Sequence, residues 1–450
     1  MKAWKAAFPV LMMITNACGG SGSPADDFVG FDNPQGCQLS ARQLRNPNLA
    51  TEIPGGLDAE LCDFGVFAWE SFLNLTRPES RSPRALPNSG KRLFQNEEQY
   101  PEFRGPGLNS CGPGDEIFDL VRIAAPDSGP EAGAGTIYAV KLAPRTGYNV
   151  IVYNIRFSRS LCDAPGPNLP EDLVEIKTAW RFLAPQEERA NYFWQSVRLS
   201  DGSRATLGLV GIHLAQVTKY HPEMIWSTWE HVDNVPDCSA EGDTARIPES
   251  GWTMMDSTCA SCLADPDSDS CDDACGAVNQ SNPGSGQPPS YPLAAEPTNT
   301  CRVHPQGTAE GDLDAELNRR NILELNAQVA GPDGYLASLR DTNPQSVWKN
   351  YRLVGGIWFN TASDDNPPEY LPPASGANTD RQRGSLALAN TVMETTFQGG
   401  PVPKVSDSPA DKNNCFACHQ AQDYSKTLTS DGRFGVSHIA EDVQKGAAQQ

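Results

Sequence analysis

The chain has 450 residues and a formal net charge of −21, from 35 Lys and Arg against 56 Asp and Glu. A nucleic-acid-binding protein is excluded, because such a protein needs basic surface to neutralise phosphates. No run of 18 or more apolar residues occurs, which excludes an integral membrane bundle. The hydrophobic content of 38% still suffices for a substantial packed core.

Residues 1–18 have the pattern of an export signal: two lysines, an apolar stretch too short to span a bilayer, and small residues before Cys18. The pattern resembles a bacterial lipobox, which would make Cys18 the site of a lipid anchor, although Thr15 stands where Leu is usual. Thr15 and Ala17 also fit an ordinary signal-peptidase site. Residues 19–35 have the composition of a flexible linker. We therefore expect an exported protein, in the periplasm, in the outer membrane as a lipoprotein, or on the cell surface.

The hydrophobic periodicity predicts an α+β fold. Alternating patterns predict strands at residues 136–142, 148–158, 205–218, 224–232 and 351–360, of which the first two form a hairpin. Helical spacing predicts helices over residues 59–75, 170–182, 313–329 and 386–397. Because the strands lie mainly in the middle, a body with a central β-rich core is favoured over a doubly wound parallel sheet. We assign this body to residues 36–384 and a short, mainly helical C-terminal segment to residues 385–450.

The 13 cysteines of an exported chain predict a disulfide framework. Cys18 belongs to the signal region, and two more cysteines belong to a motif near the C-terminus. The remaining ten fit five disulfides, whose pairing cannot be read from the sequence. Six of them fall within residues 237–301 and predict a locally stapled insertion. The first four are expected to tie the N-terminal half together. The ten are Cys37, Cys62, Cys111, Cys162, Cys238, Cys259, Cys262, Cys271, Cys275 and Cys301.

The insertion at residues 237–301 is acidic, with eleven Asp and Glu against a single Arg. The alternating acids of residues 265–273 could bind Ca²⁺, which prefers several closely spaced carboxylates. The run lacks the Gly at the sixth position and the Glu at the twelfth that an EF-hand loop requires. A solvated acidic loop is therefore the favoured interpretation.

The strongest chemical signal is CFACH at residues 415–419. Cys415 and Cys418 are spaced to form thioethers with the two vinyl groups of a haem, and His419 follows as the proximal iron ligand. A zinc knuckle would need further Cys or His nearby, and a thioredoxin-like dithiol would precede a helix in a βαβ unit. Neither context is present, so the sequence predicts one covalent haem c. A second CxxC pair, Cys259 and Cys262, is followed by Leu and is interpreted as structural.

The sixth iron ligand stays open at this point. Few residues follow His419 and none of them is Met, which excludes the ordinary layout of a small cytochrome c. His438 is the favoured ligand, because the chain between it and His419 is long enough to reach the opposite haem face. Met393 is the alternative, although core packing would also explain it. A ligand from the body and an open site remain as further alternatives.

The haem segment at residues 385–450 is too small to enclose a haem, so we expect it to pack on the body. In the strand at residues 205–218, the residues around His213 are apolar on both faces of the strand, which predicts a buried imidazole. Further along, Glu230 and His231 lie within a Trp-rich stretch. His213, Glu230 and His231 are therefore candidate catalytic residues. They could line a haem edge or a small-molecule pocket, or simply belong to the core.

Four stretches carry a family resemblance: GIH at residues 211–213, WSTWEHVDNVP at 226–236, LANTVME at 388–394 and the terminal CFACH. Together they look like a group of exported bacterial mono-haem c-type cytochrome-like proteins. The resemblance extends over roughly residues 175–438 and is interrupted at the acidic insertion. It implies a haem c and a location in the bacterial envelope or outside the cell. It supplies no substrate and no reaction.

Three functions are compatible with these patterns. The leading hypothesis is electron transfer through the covalent haem to an unknown redox partner protein. The alternative is a haem-dependent oxidoreductase of peroxidase or oxygenase type, since the body is larger than an electron carrier needs. No recognisable catalytic constellation supports that alternative. A lipid-anchored haem redox sensor or binding module is the third, with membrane contact only through the N-terminal anchor.

Overall fold

The computed structural model describes residues 36–79, 89–105, 108–112, 137–143, 146–164, 169–183, 188–199, 202–238, 248, 251–264, 278–279, 294–308, 313–359, 382–398, 414–419, 437 and 439–448. Three predictions fall outside these residues: the signal and linker at residues 1–35 with Cys18, the acidic run at residues 265–273, and His438. The side chains of Cys262 and Cys418 are likewise outside the description.

Seven strands in the described residues form one antiparallel sheet, which confirms the α+β class and the central β-rich core. The strand order is β1-β2-β4-β5-β6-β7, and β3 pairs with the first part of β4. The long central strand β4 therefore has β2 on one side and β3 followed by β5 on the other. The strands are β1 Val152–Phe157, β2 Val174–Phe182, β3 Trp194–Arg198, β4 Arg204–Thr218, β5 His221–His231, β6 Tyr351–Phe359 and β7 Gln382–Gly384.

Two long helices cover one face of this sheet, which we call the helical face. Trp69 and Phe72 of α2 and Leu325 of α5 share a hydrophobic cluster with Leu214 of β4 and Trp229 of β5. Each such fully buried side chain contributes about 1.5 to 3 kcal/mol. The helices in the described residues are α1 Ala41–Arg45, α2 Leu61–Leu75, α3 Ser160–Asp163, α4 Ser257–Ala264, α5 Leu313–Ala330, α6 Tyr335–Ser338, α7 Thr395–Gln398, α8 Cys415–Cys418 and α9 Ala440–Ala448.

The C-terminal part of the chain covers the opposite face of the sheet, which we call the C-terminal face. Ala215 of β4 and Trp226 of β5 lie in one hydrophobic cluster with Leu388, with Phe416 of α8 and with Val443 of α9. Residues 385–450 thus contribute buried side chains to the core of the body, in agreement with the packing expected from the sequence.

Glycines let residues 385–394 lie close to this face. A Cβ atom at Gly355 of β6 would stand 2.7 Å from Leu388 Cδ1, and one at Gly211 of β4 would stand 3.1 Å from Met393 Cε. A side chain at either position would therefore push the segment away from the sheet. Close packing of this kind tolerates added methylene groups poorly.

Two of the predicted helices are wrong. Residues 170–182 form β2 from Val174 onward, because the apolar side chains alternate with polar ones and pair between β1 and β4. Residues 386–397 form turns and become helical only at α7. There, Asn390 Oδ1 accepts the Val392 N–H at 2.9 Å and Thr395 Oγ1 donates to the Thr391 carbonyl at 2.6 Å. Such local side-chain bonds compete with helix formation.

The other predicted elements are confirmed with small shifts at their ends, and two strands were missed. Residues 136–142 and 148–158 pair as a hairpin through the bridge between Tyr138 and Val150, but only β1 extends into a regular strand. The sequence patterns identified neither β3 nor the short strand β7.

Three disulfides are present in the described residues: Cys37–Cys62, Cys111–Cys162 and Cys238–Cys301. The first two tie the N-terminal half together and the third closes the base of the insertion, as the sequence predicted. Cys259 is also disulfide-bonded, which agrees with a structural role for the second CxxC pair. These bonds indicate an oxidising compartment reached by export. No helix among the described residues is both long and apolar enough to cross a membrane.

Replacing Gly355 by Ala should lower the free energy of unfolding by about 1 to 3 kcal/mol, because the added methyl group overpacks the contact with Leu388. Gly356 is a matched control, since a Cβ atom there meets its nearest neighbour, the Trp226 carbonyl oxygen, at 3.3 Å. Urea denaturation of Gly355→Ala and Gly356→Ala measures the difference. Equal losses in the two variants would contradict the close approach of the C-terminal segment.

Candidate functional site

The CFACH motif is a single helical turn, α8, that is fixed to the body by the residue before it. Asn414 is fully buried, and its side-chain oxygen caps the turn by accepting the Phe416 N–H at 3.0 Å. Its side-chain amide donates to Gln382 Oε1 at 2.9 Å and to the Leu386 carbonyl at 2.7 Å. The His419 N–H closes the turn on the Cys415 carbonyl at 2.8 Å. Asn414 therefore both caps the turn and fixes it to Gln382 and Leu386.

The packing of Phe416 determines which side of α8 is accessible. Its ring is fully buried and lies 4.4 Å from the ring of Phe359 on β6. Cys415 and His419 are only half-buried. The motif thus inserts an aromatic anchor into the sheet while the side chains that would react with a haem and ligate its iron stay reachable.

The ring of Trp226 on β5 packs against the ring of His419. The two ring centroids lie 4.0 Å apart, with the planes inclined by 41°. The indole is 6% exposed, and its Nε1 has no hydrogen-bond partner among the described residues. Accessible cysteine and histidine side chains, an apolar wall and an unused hydrogen-bond donor fit the binding of a covalent haem at this turn.

His213 lies on the C-terminal face and contacts a carboxylate that the sequence patterns did not reveal. His213 Nε2 is 3.0 Å from the carboxylate of Glu394, which also accepts the Asn390 N–H at 2.9 Å. Burial raises the pKa of Glu394. The charge and hydrogen bond of His213, the charge of Lys177 and the Asn390 amide outweigh burial, so this pKa lies below its usual value. His213 therefore fastens residues 390–394 to β4.

Glu230 is the centre of a buried charge network on the same face. Its Oε2 accepts from Arg302 Nη2 at 2.5 Å and from Thr391 Oγ1 at 2.8 Å, and its Oε1 accepts the Thr391 N–H at 2.7 Å. Arg302 also donates to Asp237 at 3.0 Å. Burial opposes the charge of Arg302, but Glu230 and Asp237 outweigh it and raise the pKa of Arg302. With no exposed surface and these bonds made, Glu230 is placed as an anchor for residues 388–394.

His231 lies on the helical face, away from His213 and Glu230. Its ring stacks on Tyr192 at 4.0 Å and meets Tyr351 edge-on at 5.1 Å. Nε2 donates to the Asn191 carbonyl at 3.0 Å, while Nδ1 accepts the Asp233 N–H at 3.2 Å. This pair of bonds requires the neutral imidazole with its proton on Nε2. The structure thus places the candidate residues at different sites, and only His213 and Glu230 share a face.

Met393 is 1% exposed and packs in a cluster with Val210, Met254 and Val392. Phe416, which anchors the CFACH turn, belongs to a different cluster. The position of Met393 is therefore accounted for by core packing against β4.

An open cleft of about 490 Å³ lies at the end of β2 and β4. Leu49 and Val217 supply apolar lining, and Tyr100, Arg159 and Asp172 supply polar groups. Burial, followed by the charge of Asp172, raises the pKa of Tyr100 to about 12, so its phenol stays protonated. Tyr100 and Val174 of this lining belong to the hydrophobic cluster of the helical face, whereas Val217 belongs to the cluster of Phe416 on the C-terminal face.

No metal-binding group of three or more His, Cys, Asp or Glu residues occurs in the part of the chain that the structure describes. Comparison with known proteins adds no assignment: no family model, no curated protein and no solved structure matches the chain.

The sequence patterns missed three residues that build the site: Asn414, Glu394 and Arg302. Asn414 had a readable signal, because an Asn directly before a helical turn is a preferred N-cap. Glu394 and Arg302 had none, since their partners are far away in the chain.

Replacing Arg302 by Met should lower the free energy of unfolding by about 3 to 5 kcal/mol, because Glu230 and Asp237 would be left buried without their cation. Arg319→Met is the control. It removes an exposed ion pair with Glu316 and should cost less than about 1 kcal/mol. Chemical denaturation at neutral pH compares the variants, and similar losses would contradict an anchoring role of the buried network.

Proposed function

We propose that the protein is an exported mono-haem c-type cytochrome that transfers electrons through a covalently bound haem. The observation that supports the proposal best is the anchored turn α8, which holds Cys415 and His419 half-buried against Trp226. A haem held there would supply one-electron redox chemistry. The disulfides agree with the proposal, because c-type haem is attached after export to an oxidising compartment.

Each residue of the motif has a distinct role in this proposal. Cys415 and Cys418 hold the haem as thioethers, and His419 binds the iron from the proximal side. Phe416 and Asn414 keep the turn at a fixed place on the body. The apolar cluster around Phe416 excludes water, which lowers the local dielectric and helps to set the redox potential.

His438 is the proposed distal ligand, and its two neighbours in the chain support this choice. The Ser437 hydroxyl donates a hydrogen bond to Glu175 of β2, and Ile439 shares the hydrophobic cluster of Phe416. The chain on either side of His438 is therefore fixed to the face that carries α8. Met393 is the alternative ligand, but it would have to leave its packed position against Gly211.

A haem-dependent oxidoreductase is the second candidate function, and the cleft favours it. Its volume of about 490 Å³ is that of a small-molecule site, and one of its lining residues, Val217, shares the hydrophobic cluster of Phe416. In this version the sixth iron position accepts an external ligand. The electron carrier and the oxidoreductase would both be lipid-anchored at Cys18 and reside in the periplasm or outer membrane. The third candidate, a lipid-anchored redox sensor, would use the same haem.

Coexpression with a c-type haem maturation system should yield a chain whose mass has increased by one haem and whose pyridine haemochrome spectrum is that of two thioethers. Cys415→Ser combined with Cys418→Ser should abolish covalent attachment, because no thiol remains to form a thioether. The matched control is the second CxxC pair, Cys259 and Cys262, whose double replacement by Ser should leave the haem attached. A wild-type chain without covalent haem would refute the proposed function.

His438→Ala should convert a low-spin iron into a high-spin iron that binds carbon monoxide or cyanide, because an axial ligand is lost. Met393→Leu should leave the spectrum unchanged, because Met393 does not bind the iron in this proposal and Leu, which has a similar volume, preserves the packing. Absorption spectra of the oxidised and reduced proteins, with and without these ligands, distinguish the two. A wild-type iron that is already high-spin would favour the oxidoreductase over the electron carrier.

A further inference from the structure

The indole N–H of Trp226 is the feature that the proposed function leaves unexplained. The side chain is 6% exposed, and Nε1 is inaccessible to solvent without a hydrogen-bond partner in the described residues. A buried donor that stays unpaired is costly, and in native proteins such a group usually meets a partner outside the chain.

The sheet around Trp226 offers no side-chain acceptor. The residues opposite it in the two neighbouring strands are Ala215 and Ile357, which are both apolar. The next side chain on the same face of β5 is Thr228. Its hydroxyl already donates to the Ile212 carbonyl at 3.1 Å and accepts from Asn390 at 2.7 Å. Among the described neighbours on the sheet none is available to accept, whereas a group bound beside His419 could bring an acceptor to this indole.

We propose that the Trp226 indole donates a hydrogen bond to a carboxylate of the haem attached at Cys415 and Cys418. The inference rests on the proposed function, because haem c brings carboxylate groups to a site whose surroundings are otherwise apolar. The indole ring that carries this donor packs against the His419 ring, with the two centroids 4.0 Å apart. Trp226 is then a positioning residue that fixes the haem on the sheet and stabilises the negative charge of its carboxylate.

Trp229 shows why the contact with His419 matters and provides the control. Its indole Nε1 is also buried without a partner, and the ring is fully buried three residues further along β5. It packs on the helical face, where Phe72 stacks on it at 4.8 Å. The two tryptophans therefore share residue type, strand and unpaired donor, but only Trp226 lies at the motif.

The proposed hydrogen bond has a measurable electrostatic effect. A donor to an ionised carboxylate favours the charged form and lowers its pKa. Ionisation of that carboxylate places negative charge near the iron, so the midpoint potential falls as pH rises through the pKa. Removing the donor should move this inflection to higher pH by about one unit, which corresponds to one hydrogen bond to a charged group.

The test is a redox titration of the holoprotein at a series of pH values for wild type, Trp226→Phe and Trp229→Phe. Trp226→Phe should keep one covalent haem per chain, show the shifted inflection and have a lower midpoint potential above it. Trp229→Phe should reproduce the wild-type inflection, whatever it does to stability. Trp226→His keeps an N–H donor and should return the inflection towards the wild-type pH.

The outcomes separate the inference from the proposed function. Covalent haem in Trp226→Phe with a wild-type pH profile overturns the inference and leaves the proposed function intact. Absence of covalent haem from the wild-type chain overturns the proposed function itself. If Trp226→Phe loses its haem, retention by Trp226→His supports the donor role, whereas loss in both variants assigns the effect to packing and overturns the inference.

Discussion

The carboxylate of Glu230 is the constraint on which the C-terminal face depends. It is withdrawn from water and has to be paired there, and its partners are Arg302 and two groups of Thr391. These bonds hold residues 388–394 across β4 and β5. The same connection continues to Leu386, whose carbonyl receives the Asn414 amide that anchors α8. The turn α8 is thus fixed to a segment that a buried charge holds on the same face.

Much of the fold is encoded in local patterns, and the two wrong helices show where those patterns mislead. In residues 170–182 the period of two was present but was interpreted as helical, although Val174, Ile176 and Trp180 are spaced for a strand. In residues 386–397 the apolar content suggested a helix. Whether such a segment forms turns depends on bonds of Asn390 and Thr395 that composition alone does not reveal.

Part of the candidate site could also be predicted from local patterns, and part of it could not. The CFACH spacing predicts the candidate haem site at residues 415–419, because thioether attachment of a haem needs two cysteines and a following histidine at that spacing. Neighbours in sequence were expected to converge, yet successive residues of a strand point to opposite faces, which separates Glu230 from His231. That separation could have been predicted from strand parity. The pairing of Glu230 with Arg302 could not, since the intervening insertion hides how close the two segments come.

The disulfide Cys238–Cys301 has a consequence for the order in which the protein matures. Asp237 precedes one of its cysteines and Arg302 follows the other, and both belong to the network of Glu230. Closing this bond brings the two strand-flanking segments together at the base of the insertion. In a reducing cytosol the covalent clamp would be missing. The pairing of Arg302 with Glu230 is therefore reinforced by a covalent bond only after the chain has left the reducing cytosol, so the buried network reaches its final strength in the compartment that oxidises the cysteines.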